Sequence, residues 1–114
     1  MKKVVTPEMM EVVAERFKVL AEPARLLILN ALCAGEKTVT ELIAVTGLKQ
    51  ANVSKHLQLL YSAGFVGRRK EGLNVYYFLA NEDVFTLCDI MCRRLESEMR
   101  ERHHMIRGEK TRVG

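Results

Sequence analysis

The sequence has 114 residues, the size of one ordinary domain. Its 48% hydrophobic and 28% charged residues are typical of a globular protein and exclude a long disordered chain. No apolar stretch approaches the roughly 20 residues of a membrane-spanning helix, and Pro7, Glu8 and Glu11 interrupt the segment that a secretory signal would occupy. These features predict one cytoplasmic domain in residues 1–106 and a disordered tail over residues 107–114.

The positive charge is concentrated in one part of the sequence. The formal net charge is +4, and the segment from Lys49 to Lys70 holds five basic residues and no acidic one. Such a local excess makes nucleic acid the first partner to consider. The alternative is a solvated basic face that only keeps the protein in solution.

Two helices are predicted at the start of the chain. Apolar residues recur at helical spacing from Glu8 to Leu20, with Thr6 as a cap and Pro7 in the first turn. Pro23 suits the first turn of a second helix, Pro23 to Ala34, which Gly35 ends. This second helix is apolar almost all round, which predicts a central position.

The next segment predicts a helix-turn-helix motif. Thr38 or Thr40 can cap a short third helix, and Gly47 stops it. A fourth helix is predicted from about Gln50 to Ser62, with Gly64 after it. Two short helices joined by a tight turn that contains glycine form such a motif.

A β-hairpin and a long helix are predicted to complete the fold. Phe65 to Arg69 and Leu73 to Leu79 are β-prone runs around a tip that contains Gly72. Four helices followed by a hairpin predict a mainly α winged helix-turn-helix fold. From Glu82 to about residue 105, apolar residues recur at threes and fours, and their face is best explained by a partner chain.

Several ordered motifs carry a resemblance to a known family. Residues 17–29 read FKVLAEPARLLIL, residues 52–57 read NVSKHL, residues 63–66 read AGFV, and residues 76–79 read YYFL. Together they span roughly residues 16–80 and resemble the ArsR-type (ArsR/SmtB) family of bacterial winged helix-turn-helix transcriptional repressors. The resemblance implies a homodimer, held by the first and last helices, that represses an operon from an inverted-repeat operator in double-stranded DNA until an inducer releases it.

The fourth helix supplies the candidate DNA-reading residues. A recognition helix turns its apolar face inward and presents polar groups to the major groove. Gln50 can pair with adenine, Ser54 can contact a base or phosphate, and Lys55 can reach guanine or phosphate; the resemblance implies that these three read the sequence. Asn52 either joins them or serves the helix start, and His56 either contacts DNA or is a structural hydrogen-bonding residue.

The hairpin supplies the candidate wing residues. Arg68, Arg69 and Lys70 can contact phosphates or enter the minor groove, and Arg69 is the favoured wing residue. Because Tyr76 and Tyr77 alternate along a strand, one is expected in the core and the other is available for a phosphate contact.

Two metal sites known from the resembled family are not predicted. Residues 38–43, on the helix before the recognition helix, contain no cysteine or histidine. The last helix begins Asp83-Val84-Phe85 and has no histidine before His103, so it departs from the zinc-binding pattern. His103 and His104 are adjacent and point in different directions, so they are expected to be solvated.

The cysteines are the predicted sensor of an inducer. Cys88 and Cys92 lie four residues apart, on one face of the last helix. Their thiolates suit As(III) or another thiophilic metal ion, and thiols there can also be oxidised or persulfidated; the alternative is that they only pack a helix seam. Family members that sense reactive sulfur pair a second-helix thiol with one on the last helix. That resemblance adds Cys33, otherwise expected to be core, with Cys88 or Cys92.

The sequence therefore predicts a repressor without enzymatic activity that a thiol-reactive or thiophilic species releases from DNA. It contains no phosphate-binding loop, nucleophile elbow or paired-carboxylate motif. One alternative is a winged-helix repressor with no small-molecule sensing. The other is a small thiol redox or metal-carrier protein using Cys88 and Cys92, which is disfavoured because thiol oxidoreductases place Cys-x-x-Cys at a helix N-terminus. No cofactor is predicted beyond such a metal ion.

Overall fold

The computed structural model describes residues 4–106, and the tail predicted over residues 107–114 lies outside them. The elements are α1 (Pro7–Leu20), α2 (Pro23–Leu32), α3 (Val39–Thr46), α4 (Gln50–Ser62), β1 (Val66–Glu71), β2 (Asn74–Leu79) and α5 (Asp83–Ile106). The chain divides after Asn81 into a first unit with α1 to β2 and a second unit with α5. The predicted order of helices and hairpin is confirmed. No helix in the described part of the chain is long and apolar enough to cross a membrane.

The two helices of the helix-turn-helix motif begin differently. Thr38 caps α3: its hydroxyl accepts a hydrogen bond from the Glu41 amide at 3.2 Å, and the Glu41 carboxylate accepts one from the Thr38 amide at 2.9 Å. Gly47 ends α3 in the left-handed conformation, with φ of 75°. At the start of α4, by contrast, the Lys49 side chain makes no capping hydrogen bond.

The turn of the hairpin is shorter, and lies later in the sequence, than predicted. The antiparallel register pairs Glu71 with Asn74, which leaves the two-residue turn Gly72 and Leu73. Gly72 has a φ of 61° and Leu73 a negative φ, as in a type II′ turn with glycine at its first central position. Lys70, predicted in the tip, therefore belongs to β1, and Leu73, predicted in the strand, lies in the turn and is fully exposed.

The core of the first unit forms around α2, which packs against α1, α3, α4 and β2. Its buried residues are Leu20, Ile28, Leu29, Leu32, Leu42, Val53, Leu57, Leu60 and Val66. The central position predicted for α2 is confirmed, but the helix ends at Leu32 instead of Ala34, and Leu26 and Leu27 remain exposed.

Two features fix the hairpin to its surroundings. The Lys37 amide donates to the Tyr77 carbonyl at 3.0 Å, and the Tyr77 amide donates to the Lys37 carbonyl at 2.8 Å. Gly67 pairs with Phe78, whose ring lies where a side chain at position 67 would begin, 2.5 Å from an ideal Cβ. The hairpin is therefore hydrogen-bonded to the loop before α3, and the Phe78 ring packs against the backbone of the opposite strand.

In the second unit, α5 is the long amphipathic helix that the sequence predicts. Its large hydrophobic side chains are mostly exposed: Phe85, Leu87, Ile90, Met91, Leu95, Met99 and Met105. In the first unit, α1 also exposes apolar side chains, at Met9, Met10, Val12 and Phe17. Both helices therefore carry apolar surface that a single copy of the chain leaves in water.

Candidate nucleic-acid interface

The recognition-helix candidate α4 has one buried face and one polar face. Val53, Leu57 and Leu60 are completely buried, as the spacing predicts. The predicted DNA-reading residues lie on the exposed surface of the same helix: Gln50, Asn52, Ser54 and Lys55. With no capping side chain at its start and no acidic residue in its first turn, this surface suits a polyanion.

His56 is the member of the predicted set that is not exposed. Its Nδ1 lies 3.2 Å from Nη1 of Arg25, on α2. A guanidinium can only donate, so Nδ1 accepts and the ring is neutral with its proton on Nε2. Partial burial, followed by the charge of Arg25, lowers the pKa of His56. This geometry supports the structural alternative for His56.

Arg69, the favoured wing residue, is already engaged by two carboxylates. Its Nε donates to Glu36 at 2.9 Å, its Nη2 also donates to Glu36, and its Nη1 donates to Glu71 at 2.6 Å. Its guanidinium also lies 4.6 Å from the centre of the Tyr76 ring. The hydrogen bonds from Arg69 lower the pKa of Glu36, so the carboxylate is ionised at neutral pH. The positive charge of Arg69 is therefore compensated locally.

The other two wing cations, Arg68 and Lys70, are more available for contact with DNA than Arg69 is. Arg68 is exposed and lies 4.0 Å from the centre of the Tyr61 ring, a contact that orients its guanidinium beside the end of α4. The exposed Lys70 side chain has neither a hydrogen bond nor an ion pair within the described residues. Tyr76 and Tyr77 are both half-buried, so the expectation that one of them is core is wrong. Neighbouring residues therefore cover both faces of this strand of the two-stranded sheet only in part.

The cysteines lie in different units. Cys33 follows α2 and is exposed, so the expectation that it fills the core is wrong; its thiol donates to the Leu29 carbonyl at 3.3 Å. Although the residue as a whole is exposed, partial burial of its thiol raises the pKa of Cys33. On α5, Cys88 is half-buried and Cys92 is exposed. Within residues 4–106, no cluster of three or more His, Cys, Asp or Glu side chains forms a metal site.

Sequence reasoning missed three residues that organise this surface. Arg25 lies within the first motif, but nothing local shows that it reaches His56, 31 residues later. Glu36 binds Arg69 across 33 residues, and Tyr61 supports Arg68. Each contact depends on tertiary packing, for which a single sequence carries no direct signal.

A short helix, a tight turn, a second helix with an exposed polar face and a cationic hairpin define a winged helix-turn-helix DNA-binding protein. The model for bacterial regulatory proteins of the arsR family matches residues 22–67. The transcriptional repressor SmtB homolog of Synechocystis is 39% identical over 88 residues, which are 73% of this chain and 67% of that protein. The chain therefore belongs to the arsR family of bacterial regulatory proteins, and the predicted resemblance is confirmed.

Solved structures agree in fold. Rv0081 of Mycobacterium tuberculosis has a TM-score of 0.75 and 33% identity, covering 86% of this chain and 98% of that one. A homodimeric winged helix-turn-helix DNA-binding domain of Mycobacterium bovis has a TM-score of 0.71 and 34% identity, covering 84% and 91%. The antimony-specific repressor AntR has a TM-score of 0.73 and 31% identity, covering 86% and 90%.

One relative is considerably longer than this chain. The HTH-type transcriptional regulator Rv0324 of Mycobacterium tuberculosis is 40% identical over 79 residues, which are 69% of this chain and 35% of that protein. This chain therefore matches only about a third of the length of that relative.

Proposed function

We propose that this chain is a transcriptional repressor that acts in the cytoplasm as a homodimer on an inverted-repeat operator. The observation that carries the proposal is the exposed polar face of α4 within a segment, Lys49 to Lys70, that holds no acidic residue. In a two-fold dimer, the α4 helices enter major grooves about 10 base pairs apart, or a multiple of that. The homodimeric neighbour and the apolar surfaces of α1 and α5 support the dimer.

The exposed side chains divide into two roles. Gln50, Ser54 and Lys55 face the bases, with Asn52 beside them at the helix start. Arg68 and Lys70 contact the phosphates or the minor groove from the wing. His56 and Arg69 already have hydrogen-bond partners within the protein. These partners favour a structural role for both residues over a direct contact with DNA.

Footprinting and a matched pair of glutamine variants test this function. Gln50→Ala is expected to cost about 1 to 3 kcal/mol on the operator and little on random DNA, because a base contact is lost. Gln58→Ala, at an exposed position in the C-terminal half of α4, is the control and should change neither affinity. A footprint over a single half-site bound by a monomer, or equal losses on both DNAs for Gln50→Ala, would contradict the proposal.

We further propose that an inducer acts at Cys88 and Cys92. These residues lie on one stripe of α5 with Leu95 and Met99, because successive spacings of four, three and four keep side chains on the same helix face. In a dimer joined through that stripe, two thiol pairs converge. The antimony specificity of the neighbour AntR supports a thiophilic inducer such as As(III), while reactive sulfur and oxidants share the same thiol chemistry.

A promoter-release assay tests the sensing site. Wild type, the Cys88→Ser and Cys92→Ser double variant, and Cys33→Ser are titrated with As(III), Zn²⁺, Cu(I), persulfide and peroxide. The double variant is expected to bind the promoter but to resist release, and a loss of response in Cys33→Ser would assign the second-helix thiol to the same site. If the double variant is released at the wild-type concentration, these thiols only pack α5. If no compound releases wild type, the repressor without small-molecule sensing is favoured.

A further inference from the structure

We propose that Arg25 and His56 are a positioning pair, which holds the recognition helix α4 in its DNA-binding orientation through a hydrogen bond that forms only while His56 is neutral. This inference rests on the proposed function, because it assumes that α4 enters the major groove. Neither residue touches the DNA in this arrangement. Both act by fixing the helix that does.

One guanidinium connects three helices. Arg25 belongs to α2, and its Nε donates to the Val19 carbonyl, near the end of α1, at 2.5 Å. Its Nη1 donates to His56 Nδ1, on α4, at 3.2 Å. The last carbonyls of a helix lack partners within the helix, so Arg25 satisfies one of them while holding α4. The orientation of α4 is therefore coupled to α1.

The contact requires a neutral imidazole. Arginine stays protonated and offers only donors, so Nδ1 must keep its lone pair. A proton on Nδ1 would set two N–H groups against each other and add a second positive charge beside the first. The charged groups that act on the ring are Arg25 and Glu22 of the α2 segment and Lys55 of α4 itself. Arg25 and Lys55 oppose protonation, while Glu22 favours it.

The two roles open to His56 predict opposite pH dependences of DNA binding. If His56 contacts a phosphate, its protonation strengthens binding as the pH falls. If it positions α4, its protonation breaks the contact with Arg25 and weakens binding. By linkage, a bound state that excludes one proton per protomer loses affinity by up to about tenfold per pH unit and per protomer, once the pH lies below the pKa of His56 in the free protein.

The experiment measures the affinity for a duplex carrying the chain's own promoter region, from pH 8 to pH 5.5 at constant ionic strength, by fluorescence anisotropy. Wild-type affinity is expected to fall once the pH drops below the pKa of His56 in the free protein, by up to about tenfold per pH unit and per protomer. His56→Asn keeps an acceptor near the Nδ1 position but cannot titrate. At pH 8 it should bind within about threefold of wild type, less than the cost of a lost hydrogen bond, and it should lack the acid-dependent loss. His103 and His104 are present in both proteins, so the difference between the profiles isolates His56.

Two further measurements separate positioning from folding. Arg25→Lys keeps the charge but cannot donate to Val19 and His56 in the same fork, so its affinity at pH 8 should be several-fold lower while its far-UV circular dichroism is unchanged. In Arg25→Met, an NMR titration should show that the pKa of His56 rises, because the opposing charge is gone. This second readout needs no DNA.

The outcomes that contradict this proposal can be distinguished from one another. An affinity that rises with acid in wild type but not in His56→Asn would place His56 on the DNA and overturn the positioning role. Identical profiles for the two proteins would also overturn it. If wild type binds no promoter duplex even at pH 8, the failure is that of the proposed function, on which this inference rests.

Discussion

Gly67 is the residue at which the wing depends most on the absence of a side chain. The Phe78 ring occupies the space that a Cβ at position 67 would need. Gly67 and Phe78 are directly opposite each other on the two strands of the hairpin, so the aromatic ring covers the backbone of the glycine. We expect Gly67→Ala to lower the free energy of unfolding by about 1 to 3 kcal/mol, the usual cost of overpacking, in urea denaturation.

A double-mutant cycle provides the control for this effect. Phe78→Ala removes the ring, so Gly67→Ala should cost much less in that background than in wild type. Equal costs in the two backgrounds would show that the Phe78 ring is not what the extra methyl group meets, and that the cost of Gly67→Ala has another source.

The three wing cations are expected to contribute unequally to the salt dependence of DNA binding. Lys70 has no acidic partner within the described chain, so Lys70→Ala should reduce the salt slope by about one unit for each protomer of the dimer. Arg69 is paired with Glu36 and Glu71, and Arg69→Ala should change the slope less while weakening the attachment of the wing. Affinity measured between 50 and 200 mM salt gives both slopes. If Arg69→Ala changes the salt slope more than Lys70→Ala does, Arg69 contacts the DNA directly.

At the scale of elements, the sequence predicts structure wherever the signal is local. Thr38 with Glu41, the left-handed Gly47 and the spacing of Val53, Leu57 and Leu60 determine α3 and α4 within a few residues of chain. The predicted helices therefore match the observed ones closely. The predicted hairpin tip begins two residues too early, because several short turns can accommodate a glycine that follows charged residues. Only the pairing register of the two strands distinguishes among these turns.

The candidate site was predictable only in part for the same reason. Exposure of the α4 polar face follows from helical periodicity, and the structure places those residues as expected. The engagement of Arg69 by Glu36 and of His56 by Arg25 joins residues more than 30 positions apart. Such contacts depend on how elements pack, so sequence alone leaves the division between DNA-binding and supporting cations open.

At the scale of the whole molecule, the exposed apolar residues of α5 are the strongest argument for assembly. Leu95 lies within this surface, 48% exposed in a single chain. We expect Leu95→Glu to shift the protein from dimer to monomer, because it buries a charge without a partner in the proposed interface. Sedimentation equilibrium measures the shift. Affinity for the operator should fall by at least about tenfold, since two linked half-sites bind more tightly than one.

Glu98→Gln is the matched control for that variant. It alters an exposed polar residue of the same helix and should keep both the dimer and the affinity. If Leu95→Glu also stays dimeric and binds the operator as wild type does, α5 does not form the proposed interface. The apolar residues of α1 would then be the surface to test.

The open start of α4 has a consequence for the exchange of amide hydrogens with solvent. The first three amides of α4, at residues 50–52, have no acceptor within the helix and none from Lys49, whereas the Glu41 amide of α3 is held by Thr38. In free protein, deuterium should therefore enter the start of α4 rapidly and the Glu41 amide more slowly. When operator DNA supplies phosphate oxygens to those amides, deuterium uptake there should slow. We therefore expect the operator DNA to complete the hydrogen bonding of the first turn of α4.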